Sequence, residues 1–403
     1  MLPVSAGLAQ ILAQISPLQG HECLDVRRAQ GRVLAADVIS PINVPAYDNS
    51  AMDGYAVASR DLCASGEQRF RVMGNVLAGH PFRGMLNAGE CVQIMTGAQV
   101  PIGLDTVIMK ELCRRDGDQV LFPAGAKPGQ NRRKAGEDLA KGHPAIAAGQ
   151  RLGAAELGMI ASLGQSEVRV VRRPRVAYFS TGDEIRSLGQ PLDEGQIYDS
   201  NRYTVTALLN SQGIEVIDLG VIPDRAEAIE AAFMRASEQA DLVLSSGGVS
   251  LGDADYVKAT LDKLGQVNFW KLAMKPGRPL AFGRVNDALF FGLPGNPVAV
   301  MTTFLQFVRP ALRRLEGESR QLPVSQSAPT TEPLRKKPGR TEYIRGIISL
   351  DAQGHPQVSS TGQQGSGILT SMSRANCLMV LEHDRGDVGA GEPVTLYAFE
   401  GLL

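Results

Sequence analysis

From Arg175 to Glu316 short apolar runs alternate with amphipathic stretches, and this alternation constrains the fold more than any other feature. Arg175–Ser180, Ile214–Leu219, Leu242–Ser246 and Ala288–Leu293 have the length and apolar character of buried strands. Asn201–Asn210, Glu227–Ala236, Asp255–Leu264 and a longer stretch from Asn296 show helical spacing, with Gly213 placed as a C′ residue. Repeated βα units build a parallel sheet with right-handed crossovers and bring ligands to the carboxyl ends of the strands. The loops after Ser180, Ser246 and Leu293 all fall at such ends.

Within this array, three glycine- and proline-rich loops lie between Asp241 and Val298. The first carries Gly247, Gly248 and Gly252, which let backbone N–H groups approach an anion closely at a helix start. The second is Lys271–Pro279 and the third Gly292–Pro297. Lysines beside a glycine loop and carboxylates point to a phosphorylated ligand, with or without a metal ion. Ordinary strand–turn–helix connections use the same residues. Three such loops in one array favour a shared site.

Composition narrows the class. Hydrophobic residues make up 43% and charged residues 21%, so the chain is globular, and 403 residues divide into about two to four domains. Lys+Arg 41 against Asp+Glu 42 leaves a net charge of −1, which supplies no global field for nucleic acid or an anionic membrane. The five cysteines are scattered, without a C-x-x-C pair, which argues against a disulfide framework or a cysteine-rich zinc site. With no signal-peptide pattern at the N-terminus, and the most apolar stretch, Val298–Val308, too short to span a bilayer, the expectation is a cytoplasmic protein.

An opening helix is expected over Gly7–Ile15. Short apolar runs separated by glycine turns between Pro45 and Pro144 predict a β-rich insert. Helical periodicity returns at Leu152–Leu163, so the segments flanking the insert are expected to pair in space. Gln321–Pro333 reads as a linker into a small β module. The division is thus residues 1–43 with 143–172 as an elongated helical linking unit, and 44–142 as the insert. Residues 173–320 form the α/β unit with a mainly parallel sheet, and 321–403 the C-terminal β module.

Several strings, taken in order, resemble the molybdopterin molybdenumtransferase family. They are Pro45–Val57 (containing Asp-Asn-Ser-Ala-Met-Asp-Gly-Tyr), Met95–Ala98, Gly136–Asp138 and Ser180–Glu184, followed by Ser245–Tyr256, Lys271–Gly283, Gly292–Val298 and Thr361–Ser366. The first is highly specific; the Thr-Gly-Asp-Glu and Ser-Gly-Gly strings also occur in related pterin adenylyltransferases. The resemblance implies that adenylylated molybdopterin and molybdate, as substrates, give molybdenum cofactor and AMP with Mg²⁺ assisting. It also implies a homodimer whose site draws on both chains, and contact with the adenylyltransferase of the same pathway. Adenylylation of molybdopterin by ATP, or pterin binding without chemistry, are the other readings.

On this basis Glu184 and Asp255 are candidate Mg²⁺ ligands, since a hard cation prefers carboxylate oxygens, although Asp255 also suits a helix N-cap. Asp224 is carried over as an active-site acid, yet Asp224–Glu227 also fits a capping box. Asp199 is kept on the same ground, with Ser200 or Asn201 available to cap the next helix. Lys271 and Lys275, four apart on a strand-like run, would share a face and hold phosphate or molybdate; Arg278 adds charge beside them. Gly247, Gly248, Ser250, Pro294, Asn296, Pro297 and Ser366 complete the expected ligand loops. In the insert, Asp53, Thr96, Arg133 and Asp138 are expected to reach over the partner chain's cleft, although Asp53 before Gly54 could simply make an Asx-type turn.

Overall fold

A computed structural model describes residues 1–247 and 256–400. Its central sheet has six strands in the order Glu215–Ile222, Arg175–Thr181, Leu242–Ser246, Ala288–Leu293, Pro279–Val285, Gly265–Lys271. The first four are parallel to one another, as βα alternation requires. The last two are antiparallel additions. Pro279–Val285 runs antiparallel to its neighbour because only Asn286 and Asp287 separate it from Ala288–Leu293, a hairpin-length turn that leaves no room for a crossover. Asn286 takes a φ of 51°, as such a turn demands.

Alternation along the strands sends side chains to two helix-covered faces. Val176, Tyr178, Leu242, Leu244, Leu289 and Phe291 share one core with Val205 and Leu209 from the Ser200–Asn210 helix. Ala177, Phe179, Val243 and Phe290 face the other, with Ile229 and Phe233 from Ala226–Gln239 and Val257 and Leu261 from Tyr256–Leu264. Phe233 meets Phe179 and Phe290 edge-on at ring separations of 5.2 and 5.3 Å. The Ile229→Val variant should cost about 1 kcal/mol, read as a lower urea midpoint at constant slope; no shift would mean the helix is not seated on this face.

The last helix of the α/β unit runs through Pro310 instead of stopping there. Pro297–Thr303 and Arg309–Leu315 are joined by one π-helical turn, Phe304–Val308. Pro310 has no N–H to donate, and a wider turn just before it accommodates the missing bond. The opening helix, Val4–Ala13, packs Ile11 into the same core as this helix.

The segments on either side of the insert do pair: His21–Asp25 runs antiparallel to Glu167–Val171, and Val38–Ile39 to Pro144–Ile146. The insert holds its own six-stranded sheet, ordered Thr106–Met109, Gly54–Val57, Glu90–Ile94, Gln68–Val76, Gln119–Phe122, Arg114–Asp116. The C-terminal sheet is built on Thr341–Leu350, Cys377–Leu381 and Pro393–Ala398. Residues expected as a linker contribute to it, since Gln326–Pro329 pairs antiparallel with Pro393–Ala398. Its two prolines fall opposite each other at an edge, where a missing donor costs little. Among the described residues no helix is long and apolar enough to cross a membrane.

Candidate active site

The loops that follow Arg175–Thr181, Leu242–Ser246 and Ala288–Leu293 converge on one cavity of about 620 Å³. Glu184 comes from the first loop, Gly247 from the second, and Pro294, Gly295 and Asn296 from the third. Residues Met274–Pro279 form another wall, which brings in Lys275 and Arg278. The C-terminal module closes the cavity with Arg340, Gln364, Gly365 and Ser366. Glu184, Gly247, Lys275, Arg278, Pro294, Asn296 and Ser366, expected from the sequence, therefore meet in one hollow. Gly248, Ser250 and Asp255 lie outside the described residues.

Two of the glycines have no substitute. Gly277 has φ 98°, and a Cβ on it would stand 2.5 Å from the Thr303 hydroxyl. Gly247, at φ 87°, lies against the Thr181 carbonyl, with no space for a Cβ. Close backbone approach at both positions opens the cavity floor.

Lys271 and Lys275 do not share a strand, contrary to expectation. Lys271 ends the outermost strand of the central sheet, whereas Met274–Lys275 pairs in parallel with Thr341–Glu342 of the C-terminal sheet. Between them the chain changes sheets: Leu2 accepts from Ala273 N–H at 2.7 Å and donates to the Lys271 carbonyl at 2.9 Å. Only Lys275 lines the cavity.

The pairing with Thr341–Glu342 also supplies a residue the sequence reading missed. Glu342, with a side chain 6% exposed, accepts from Lys275 Nζ at 3.1 Å and from Arg340 Nε at 3.0 Å. One buried carboxylate thus anchors two cations whose heads stay half-exposed, leaving the rim positive. Beneath the Gly365 loop lies Arg345, only 1% exposed. It donates to Ser371 Oγ at 3.0 Å and to the Gly365 carbonyl at 3.1 Å, and no carboxylate pairs with it among the described residues. Burial alone pulls its guanidinium down to about 10.

The acidic side of the site is built from the first loop. Asp224 does not form its capping box, because the helix begins at Ala226 with Arg225 as its N-cap and no side-chain cap. Instead Asp224 N–H donates to Asp183 Oδ1 at 3.3 Å. Burial, then the nearby Asp183 and Glu184 charges, pushes the Asp224 carboxyl above its ordinary range. Among the described residues no three His, Cys, Asp or Glu side chains form a metal cluster by themselves. Hard oxygen donors crowded by their own charge nevertheless fit Mg²⁺, which uses one or two carboxylates and completes its shell with phosphate oxygens.

Asp199 itself, neither Ser200 nor Asn201, caps the Ser200–Asn210 helix, accepting from Arg202 N–H at 3.0 Å. It is buried and does not line the cavity. Asp199→Ala should cost about 1–2 kcal/mol, visible in the denaturation midpoint. Asn201, the unused cap candidate, holds the third loop by donating from Nδ2 to the Gly295 carbonyl at 2.7 Å. Pro297 occupies the first helical position, after Asn296.

Of the insert residues, Asp53 and Thr96 are brought together. Asp53 makes no local turn of its own: it accepts from Thr96 N–H and Oγ1, both at 2.8 Å, and pairs with Lys110 at 3.2 Å. The Thr96 bonds hold its carboxyl down at about 2. Arg133 pairs with Asn49, and Asp138 N–H donates to the Val44 carbonyl at 3.1 Å. Neither Asp53, Thr96, Arg133 nor Asp138 lines the cavity of its own chain.

Fold and site together define an α/β protein with a cation-rimmed cavity at the carboxyl ends of its strands, under a terminal β module. Residues 2–164 match the family described as MoeA N-terminal region (domain I and II). Residues 177–314 match the probable molybdopterin binding domain, and 327–399 the MoeA C-terminal region (domain IV). The molybdopterin molybdenumtransferase of Haemophilus influenzae is 46% identical over 405 residues, covering 100% of both chains. That of Nostoc sp. is 36% identical across 95% of this chain and 90% of its own. The crystal structure of a molybdopterin biosynthesis MoeA protein from Pyrococcus horikoshii OT3 superposes with a TM-score of 0.85 at 28% identity, covering 99% of this chain and 100% of its own. The chain belongs to the molybdopterin molybdenumtransferase family.

Proposed function

We propose that the protein inserts molybdenum into molybdopterin, taking adenylylated molybdopterin and molybdate and releasing molybdenum cofactor and AMP. The observation that carries this reading is the cavity itself, where three strand-end loops meet a cationic rim anchored on Glu342. Lys275, Arg340 and Arg278 would hold the phosphates and the incoming molybdate by charge, and orient them before the bond to AMP breaks. Fixed positive charge in a partly enclosed site stabilises the developing negative charge with little reorganisation. Glu184, Asp224 and Asp255 would hold Mg²⁺, whose part is to neutralise charge on the phosphates as AMP departs.

The site is proposed to be completed in a homodimer, with the Asp53–Thr96–Arg133–Asp138 surface of one chain over the cavity of its partner. What supports this is that Thr96 fixes the Asp53 carboxylate while none of the four residues lines the active-site cavity of its own chain. The division at residues 43, 142, 172 and 320, and a cytoplasmic location, belong to the same proposal.

Metal dependence can be read without turnover. Because the folded chain raises the Asp224 carboxyl, the group favours folding at low pH, and this contribution is lost as pH rises from its ordinary range through the raised value. Mg²⁺ should therefore raise the melting temperature at pH 7, and the gain should shrink in Asp224→Asn. An equal gain in the variant would remove Asp224 from the metal site. Function itself is tested by AMP release from adenylylated molybdopterin, which should depend on molybdate; ATP consumption with molybdopterin alone would favour the adenylylation step instead.

A further inference from the structure

A second pocket, of about 410 Å³, lies where residues Gln30, Gly31 and Arg151 meet the last helix of the α/β unit and the end of the Ser200–Asn210 helix. Four guanidiniums line it: Arg151, Arg173, Arg309 and Arg313. Two neighbouring buried carboxylates answer part of that charge. Glu316 accepts from Arg151 at 2.5 Å, and Glu318 accepts from Arg151 at 2.8 Å and pairs with Arg313 at 3.6 Å.

Arg173 has no ion-pair partner among the described residues, although its neighbour Arg172 is held by both oxygens of Asp241, at 2.8 and 2.6 Å. That aspartate is also engaged by the backbone N–H of Arg175. Arg173 instead stacks its guanidinium over Gly213, where a Cβ would come within 3.2 Å of Nη2. Burial, followed by the Arg313 charge, pulls the Arg309 guanidinium down to about 10.

The adjoining helix end does not repel an anion strongly, because its last carbonyls are used. Ala207 accepts from Ser211 N–H, Leu208 from the side chains of Ser211 and Gln212, Leu209 from Gln212 N–H, and Asn210 from Gly213 N–H. The wall therefore offers forked donors and a surplus of positive charge in a concave space.

We propose that this pocket binds a tetrahedral oxyanion group, as free phosphate or sulfate or as the phosphate of a small molecule, held by Arg173 together with Arg313. Guanidinium forks match tetrahedral oxyanions bidentately, and the volume accommodates the group with its bridging waters. Because the arginines come from segments far apart in sequence, occupancy would also clamp the Gln30–Gly31 turn and Arg151 onto the α/β unit.

Calorimetric titration of the full chain with inorganic phosphate tests this independently of turnover. The wild type should show a phosphate class that weakens by about tenfold or more in Arg173→Gln, equal to about 1.4 kcal/mol. Arg173→Lys, which keeps the charge but loses the fork, should retain only part of it, and Arg313→Gln should lose it as well. Any phosphate taken up by the main cavity is common to wild type and variants, so the difference belongs to the arginine pocket. Adenosine 5′-monophosphate in place of phosphate separates the sources: tighter binding that remains sensitive to Arg173→Gln identifies an organic phosphate, and weaker binding a free oxyanion. Superimposable phosphate isotherms for wild type and Arg173→Gln would overturn the proposal.

Discussion

Lys275→Ala is expected to slow molybdate-dependent AMP release by about a hundredfold, which corresponds to about 2.7 kcal/mol of lost transition-state stabilisation. The effect is large because Lys275 is fixed before substrate arrives. Its ammonium group rests on the buried Glu342 carboxylate at 3.1 Å, while 48% of the side chain stays exposed towards the cavity. Stability should change little, since an exposed ammonium contributes little to folding. Lys275→Arg should recover part of the rate, because the charge is kept but the stem and fork differ. Lys271→Ala, in contrast, should leave the rate near wild type, because Lys271 sits on the other sheet and does not line the cavity. Single-turnover measurement of AMP release checks all three variants. A Lys275→Ala rate within threefold of wild type would remove this residue from the reaction.

The second large effect is on stability. Arg345→Ala should destabilise the protein by about 3–5 kcal/mol, because it opens a cavity and strands the partners of a fully buried guanidinium. Those partners are Ser371 Oγ, the Gly365 carbonyl and, at 3.4 Å, the Tyr343 carbonyl. Arg345→Met should recover part of the loss, since a volume-matched apolar side chain often replaces a buried charge cheaply. Activity should not return with it. The Gly365–Ser366 backbone forms part of the cavity wall, and Met supplies no donor to hold it. Urea denaturation together with AMP release separates the two effects; a stable, fully active Arg345→Met would show that the loop needs no such anchor.

The parts of the site legible in the sequence were those where local chemistry and topology agree. Gly247, Pro294 and Asn296 could be placed together because parallel strands deliver their loops to one edge, and glycine and proline mark where those loops turn. Local reasoning failed where a long-range pairing decided the outcome. The strand Met274–Lys275 is claimed by Thr341–Glu342, so counting residues from Lys271 to Lys275 predicted a shared face that does not exist. For the same reason Glu342, Arg340 and Arg345 were missed: their role follows from the sheet they join, and Gly339-Arg340-Thr341-Glu342 carries no local motif for it. Asp224 misled in the opposite direction. Its spacing fits a cap, but the turn in which Arg225 N–H donates to the Pro223 carbonyl moves the helix start by one residue and leaves the carboxylate within reach of the Asp183 and Glu184 charges. The antiparallel strand Pro279–Val285 escaped a βα reading because a two-residue turn is easily absorbed into a longer apolar run.

A crystal of the protein soaked with AMP and molybdate gives the most direct test of the central claim, that separate loops fold into one cation-rimmed, carboxylate-edged reaction cavity. The account predicts the AMP phosphate and the molybdate side by side in the hollow between Lys275, Arg340 and the Gly247 loop, with Glu184 at its edge. Both ligands bound elsewhere, with this cavity holding only solvent, would contradict it.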